Sequence, residues 1–197
     1  MSRLPWLVAI DLQVIFADPA SAWRTPRFAD AAAGVVALLP AFADRVVCTR
    51  FIAPEQPSGA WVAYYRDWPF ALVPATDPLY DLVEPFAGLA GPVVSAPTFG
   101  KWGADLLDVV GPDAQLFLTG VSTDCCVLST ALAAADAGRE VLVVADACAG
   151  LSETDHQRAL DAMALYAPLI TITSVAEVLA TPPPARVAPA PRPAASG

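Results

Sequence analysis

Six short, continuous apolar runs constrain this chain more than any other feature of its sequence. They are "PWLVAI" (5–10), "RVVCT" (45–49), "GPVVS" (91–95), "AQLFLTG" (114–120), "REVLVVAD" (139–146) and "LITIT" (169–173). Each is bounded by Gly, Pro or Asp, which reads as a strand. Unbroken apolar runs, as opposed to alternating ones, suit strands covered on both faces. Helical patterns lie between them. "TPRFADAAAGVVALLPAFA" opens on Thr25 and Pro26, an expected N-cap and first helical position. "GADLLDVVG" ends at Gly111, and "TDCCVLSTALAAADAG" closes on Gly138 as an expected C-cap. "SETDHQRALDAMALYA" starts at Ser152 with Asp155 three residues on, a loose capping box, and "SVAEVLA" is capped by Ser174. Strand then helix, repeated, predicts an α/β fold: a three-layer, doubly wound, mainly parallel sheet of about six strands.

Length and composition narrow the organisation and the partners. The 197 residues suit one domain, assigned here to 1–180. The remainder, "TPPPARVAPAPRPAASG" (181–197), is Pro/Ala-rich low complexity and is expected to be disordered. Net charge is −9 with no basic run, which argues against nucleic acid or an anionic membrane as partner. No apolar stretch approaches the roughly 20 residues that span a bilayer. The opening "MSRLPWLVAIDLQ" reaches Asp11 too soon for a signal-peptide core, so a cytoplasmic protein with reduced thiols is expected. Cys48, Cys125, Cys126 and Cys148 form no C-x-x-C pair, and the single histidine, His156, cannot build a His-rich zinc site. No metal and no cofactor are therefore expected. His156 falls in a polar-faced helical pattern and reads as a surface position ahead of a catalytic one.

In a doubly wound sheet, ligands bind beyond the carboxyl ends of the strands. The residues there are Asp11 and Gln13 after the first run, Thr49 and Arg50 after the second, and Ser95, Thr98 and Lys101 after the third. Gly120 and Ser122 to Cys126 follow the fourth, and Asp146 the fifth. A thiol on the first helical turn feels exposed N–H groups and the positive end of the helix dipole, which favour thiolate. Asp124 opposes this, so a compensating cation is needed. Two readings of the cysteine pair stand: a nucleophile with a carboxylate base, or small packing residues at a strand–helix junction. The two side chains differ by about 100° around a helix, so only one faces the strand ends. Residues 51–90, rich in Pro and aromatics, read equally as a binding-site wall or an oligomer contact.

The run "GVSTDCCVLSTALAAADAGREVLVVADACAG" resembles the signature of isochorismatase-like cysteine hydrolases, the group containing nicotinamidases and N-carbamoylsarcosine amidase. Gly120, Val121, Thr123, Asp124, Cys126, Val127, Thr130, Ala131, Gly138, Asp146 and Ala147 match its pattern, and Asp11 and Gln13 match its strand-one motif. The resemblance spans roughly residues 6–180 and implies a small-molecule substrate and a homo-oligomer, dimer or tetramer. It implies Cys126 as nucleophile, Asp11 as proton acceptor and a lysine as cation, with Cys125 at a variable position. It also implies an oxyanion hole beside a cis peptide bond at Val121–Ser122. Ala96 stands where the lysine is expected, and the only lysine, Lys101, lies five residues later. A flexible loop lysine can reach back; Arg50 is the next candidate cation. Gln13, Arg50, Trp61, Tyr65 and Trp68 are expected to bind substrate, with Arg50 or Arg66 holding any carboxylate. The zinc ligands of nicotinamidases have no counterpart in "CTRFIAPEQP". The implied activity is cysteine-dependent hydrolysis of a small amide, ureide or carbamoyl compound through a thioester. The alternatives are a non-catalytic ligand-binding or assembly module that has lost the lysine, and a redox dithiol at Cys125 and Cys126.

Overall fold

The computed structural model describes residues 4–182. From residue 183 onward, the expected Pro/Ala-rich tail lies outside the described residues. The chain runs β1 (Leu4–Ile10), α1 (Val14–Ala17), α2 (Phe28–Phe42), β2 (Val46–Phe51) and α3 (Trp61–Asp67). Three 3-10 turns, at Pro69–Ala71, Pro78–Tyr80 and Phe86–Gly88, lead to β3 (Val93–Ala96) and α4 (Ala104–Val110). Then come β4 (Ala114–Val121), a π-helical turn (Thr123–Val127) continuing into α5 (Leu128–Asp136), β5 (Glu140–Ala149), α6 (Glu153–Ala164), β6 (Ile170–Thr173) and α7 (Val175–Ala180).

Every apolar run became a strand. The six pair in the order β3-β2-β1-β4-β5-β6, and each neighbouring pair is parallel. The continuous apolar character has its reason in two separate cores, one on each face. On one face α2 lies across β1, β4 and β5, with Leu7, Ala9, Val35, Leu38, Phe42 and Phe117 fully or nearly fully buried. On the other face α5 and α6 cover Val8, Ile10, Leu116, Leu118, Val141 and Val143, all at zero exposure. Among the described residues no helix is long and apolar enough to cross a membrane.

Caps follow the sequence at three ends and depart from it at one. Ser152 Oγ accepts the Asp155 N–H at 3.0 Å, and Ser174 forms a full capping box with Glu177. Gly138, just past α5, takes φ +79°, as a C-terminal glycine should. Thr25, however, does not cap α2, which begins at Phe28 with no side-chain cap. Its backbone is engaged in a turn instead: its N–H donates to the Phe16 carbonyl (2.9 Å) and its carbonyl accepts from Phe28 N–H (3.1 Å).

Outward from the centre, strand order climbs in one direction and jumps in the other. The first and fourth strands are the neighbours where the winding reverses, and a crevice opens beyond their carboxyl ends at such a point. Ile10 sits in register with Gly120 there. Gly120 takes φ +102°, and a Cβ on it would lie 2.1 Å from the Ile10 carbonyl oxygen and 2.7 Å from its nitrogen. Backbone cannot yield as a flexible side chain does. Gly120→Ala is therefore expected to destabilise by ~4 kcal/mol or more, the range of a severe core lesion, or to abolish soluble folding; urea denaturation measures it.

Candidate active site

Asp11 follows β1 directly and is fully buried. Its φ is +53°, unusual for a residue other than glycine and tolerated best by Asp and Asn. Local bonds hold it there: its N–H donates to the Thr49 carbonyl (3.2 Å) and to Thr49 Oγ1 (3.3 Å), while Thr49 Oγ1 donates to Asp11 Oδ1 (2.7 Å). The other carboxylate oxygen, Oδ2, lies 2.9 Å from Lys101 Nζ. Both side chains are wholly out of solvent. Lys101 Nζ also donates to the Thr98 carbonyl (2.7 Å) and the Phe99 carbonyl (3.1 Å), so its three N–H donors match three oxygens. The ammonium lies 5.3 Å from the centre of the Phe51 ring, whose face adds a cation–π attraction. The loop between β3 and α4 thus carries Lys101 to the Asp11 carboxylate.

Cys126 sits within the π-helical turn that ends β4 and is 3% exposed. Its thiol is pushed well up from the ordinary thiol range. Burial is the largest cause, followed by the Asp11 charge, with Lys101 pulling in the opposite direction. The resting sulfur is thus a thiol beside a carboxylate, not a free thiolate. Thr130 ties the Cys126 turn to the Lys101 loop. Its Oγ1 donates to the Cys126 carbonyl (2.6 Å) and accepts from the Lys101 N–H (2.9 Å). The Val121–Ser122 peptide bond, immediately before this turn, is cis.

A cavity of about 240 Å³ opens beside the sulfur. Phe16, Trp23, Phe51, Tyr64, Trp68 and Phe99 form its aromatic wall, and Ala22, Thr25, Leu151, Ser122, Cys125 and Cys126 complete it. Trp23 is the hub, with rings of Phe16, Phe51, Tyr64, Trp68 and Phe70 at 5.2–6.2 Å. Cys125 is half-buried and also lines the cavity, so the expected one-in, one-out division between the two residues does not hold there. Cys125 is pushed up by burial and by Asp124, whose Oδ2 lies 3.7 Å from its sulfur.

Of the five expected substrate contacts, Trp68 alone lines this cavity. Gln13 is fully buried and holds backbone together: its amide donates to the Phe51 (3.0 Å) and Tyr80 (2.8 Å) carbonyls and accepts from Phe51 N–H (2.7 Å). Trp61 and Tyr65 stack on each other behind the wall, 6.0 Å apart. Arg50 points to a different depression, shared with Asp81 and Glu84, and its guanidinium bonds Ser95. β2 ends at Phe51, whose ring and not its neighbour's guanidinium faces the cavity, because adjacent strand residues point to opposite faces. His156 lies on the inner face of α6, 9% exposed, with Nδ1 2.8 Å from Thr123 Oγ1. The expectation of a surface histidine is corrected accordingly; burial lowers its pKa.

Residues 5–176 match the Isochorismatase domain. The chain belongs to the Isochorismatase family. Over 53 residues it is 45% identical to Isochorismatase domain-containing protein 2 of Xenopus laevis, an alignment covering 26% of each, so it spans about a quarter of that curated relative's length. A cysteine hydrolase from Pseudomonas syringae pv. phaseolicola superposes with a TM-score of 0.80 at 21% identity, covering 90% of this chain and 91% of that one. A pyrazinamidase of Pyrococcus horikoshii, solved with zinc, gives a TM-score of 0.66 at 25% identity, covering 87% and 99%. The hydrolase fold of the Isochorismatase family thus accounts for the sheet order and layering found here.

That zinc prompts a test of this chain's own donors. Past β2 come Ile52, Ala53 and Pro54, none of them a ligand. Among the described residues no group of three or more His, Cys, Asp or Glu could hold a metal ion, and His156 is engaged with Thr123. The donor set in this member of the Isochorismatase family does not fit the metal.

Sequence reasoning placed Thr49 at a strand end without a role, and missed Trp23 and the bridging role of Thr130. Thr130 was visible only as a motif match, and nothing local marks Trp23 as the hub. The buried pair generates a stability prediction. Lys101→Met leaves Asp11 without its cation and is expected to destabilise by about 3–5 kcal/mol. Adding Asp11→Asn removes the orphaned charge and should restore most of that loss, which paired urea titrations would measure as strong non-additivity.

Proposed function

We propose that this protein is a cysteine hydrolase that cleaves the C–N bond of a small amide, ureide or carbamoyl compound. One observation carries the reading: Cys126 lines the cavity, and the buried Asp11 whose charge acts on its thiol is paired with Lys101 at 2.9 Å. A binding module without the family's cation was the competing reading, and its support was Ala96. Lys101 at 2.9 Å from Asp11 supports the hydrolase reading over it.

In the proposed reaction Asp11 takes the Sγ proton as the sulfur attacks the substrate carbonyl carbon. Lys101, paired with the carboxylate, favours the developing thiolate by charge. The oxyanion is received by backbone N–H groups of the turn at Ser122 to Cys126, which also lie at the positive end of the 123–136 helical segment. Collapse breaks the C–N bond as the proton on Asp11 passes to the leaving nitrogen. The acyl group remains on sulfur as a thioester, or as a thiocarbamate where the substrate is a ureide. Asp11 then removes a proton from water as it attacks the acyl carbon, and the thiolate leaves and is reprotonated. The raised thiol suits this sequence, since attack and deprotonation occur together and no standing thiolate is needed.

Cys126→Ala is expected to lower kcat for ammonia release by ~10⁴ or more, to background, as loss of a nucleophile does. Cys125→Ala should stay within about tenfold of the parent enzyme, measured on the same substrate. A wild-type rate from Cys126→Ala sinks the proposal. A second expectation concerns pH. Because the Cys126 thiol is raised, its thiolate fraction grows as pH climbs and does not saturate near the ordinary thiol pKa. Iodoacetamide labelling of Cys126 should therefore keep accelerating above pH ~9. Cys48 and Cys148 do not line the cavity and should label more slowly at every pH, as peptide mapping by mass spectrometry would report.

A further inference from the structure

The cavity beside Cys126 has a wall without charge. None of its twelve lining residues is an Asp, Glu, Lys, Arg or His. The ionisable pair of the site, Asp11 and Lys101, lies behind the sulfur at zero exposure and is internally matched. Three hydroxyl-bearing side chains, Thr25, Ser122 and Tyr64, supply the wall's polarity beyond the two thiols. All three are neutral, and burial holds the Tyr64 phenol up to about 12. The Thr25 hydroxyl has no partner among the described residues. The guanidinium expected to hold a carboxylate, Arg50, faces the separate depression beside Asp81 and Glu84. Arg66, on α3, does not line the cavity either.

Space adds a second limit. About 240 Å³ is below the roughly 300 Å³ at which pockets for drug-sized ligands begin, and is the room of about eight water molecules. Six aromatic rings line it. An ion entering such a wall loses its hydration and gains no opposite charge, a penalty that discriminates strongly. A planar or branched apolar group meets ring faces and edges on several sides.

Resting on the hydrolase reading above, we infer that the site takes a compact, uncharged amide whose acyl part is aryl or branched alkyl, and that it rejects carbamoylated amino acids and other charged amides of similar size. The substrate class thus narrows from any small amide or ureide to neutral primary amides with an apolar acyl group of about one ring. Attack of Cys126 Sγ on such an amide forms the C–S bond, breaks the C–N bond and releases ammonia, with the acid as final product after water addition. No co-reactant beyond water enters.

The test compares four amides that each release ammonia: benzamide and isobutyramide, both neutral, N-carbamoylglycine, an anion, and glycinamide, a cation. The expected kcat/KM for the better neutral amide is at least 100-fold above either charged one. Binding is read separately on Cys126→Ala by tryptophan fluorescence, because Trp23 and Trp68 stand in the wall. Benzamide should quench or shift that emission saturably, and N-carbamoylglycine should not at the same concentrations. Turnover of N-carbamoylglycine or glycinamide at a rate equal to or above that of the neutral amides overturns the inference while leaving the hydrolase reading intact. Binding of neutral but not charged amides without any turnover supports the inference and removes the hydrolase reading. Absence of both binding and turnover for the neutral pair overturns the inference.

Discussion

A carboxylate and an ammonium buried together at the strand tips set the terms for everything around them. Each alone would be heavily penalised in the interior, and their attraction compensates only where the remaining hydrogen-bonding capacity is met. Here it is met from three directions. Thr49 on β2 satisfies one oxygen of Asp11, and the carbonyls of Thr98 and Phe99 satisfy the remaining N–H groups of Lys101. The loop from β3 to α4 must therefore fold back over the end of β1, with its own backbone turned inward. That demand explains how Lys101, from the loop after β3, arrives beside Asp11. It also accounts for the left-handed backbone at Asp11, a conformation of the kind that costs on the order of 1–3 kcal/mol and persists where its surroundings fix it.

The sheet supplies the frame for that pair. Parallel strands put all their carboxyl ends on one edge, and reversal of winding between β1 and β4 opens a gap there. Gly120 lets the two strands close to backbone contact, so Asp11 and the Cys126 turn leave adjacent strand ends at a fixed separation. Thr130, one turn further along α5, then bonds both the Cys126 carbonyl and the Lys101 amide. Position is thus set by backbone and by one hydroxyl, and the side chains of Asp11, Lys101 and Cys126 inherit it. The aromatic insertion between β2 and β3 closes the open side, with Trp23 from the preceding turn filling its centre.

How much of this could be read beforehand follows physical lines. The strands were legible because a doubly covered sheet needs unbroken apolar runs, and six such runs stand in the sequence. The junction at "GVSTDCCV" was legible because a glycine turn followed by a polar helical turn is a local pattern. Lys101 was harder, since its direction depends on a loop whose shape is set by the buried charge it meets. Gln13 was read as a substrate contact from its place beside Asp11. In the fold its amide is consumed by Phe51 and Tyr80, a pairing across 38 and 67 residues that no local window contains. Arg50 failed as a cavity residue for a simpler reason: strand alternation gives that face to Phe51. His156 was read as solvated because its helix is polar overall, although it occupies an inward position, against Thr123.

The two adjacent cysteines show how little of reactivity lies in the sulfur itself. Both reach the same cavity, and burial raises both thiols. The difference lies in what else acts on each. The Cys125 thiol has Asp124 beside it, and the other groups acting on it are Ser122 and the more distant Asp155, none of them a cation. A proton handed to Asp124 would leave a thiolate with no opposite charge to hold it, while Asp124 is also engaged by the Leu151 N–H at 3.0 Å. The Cys126 thiol has a carboxylate too, but that carboxylate carries its own ammonium at 2.9 Å, and the same ammonium acts on the sulfur in the favourable direction. In the proposed reaction, proton transfer from Cys126 to Asp11 would keep the negative charge under the influence of Lys101 at both ends of the step. Charge is shifted without being created, which is the condition a dry site imposes on any acid–base pair that must work inside it.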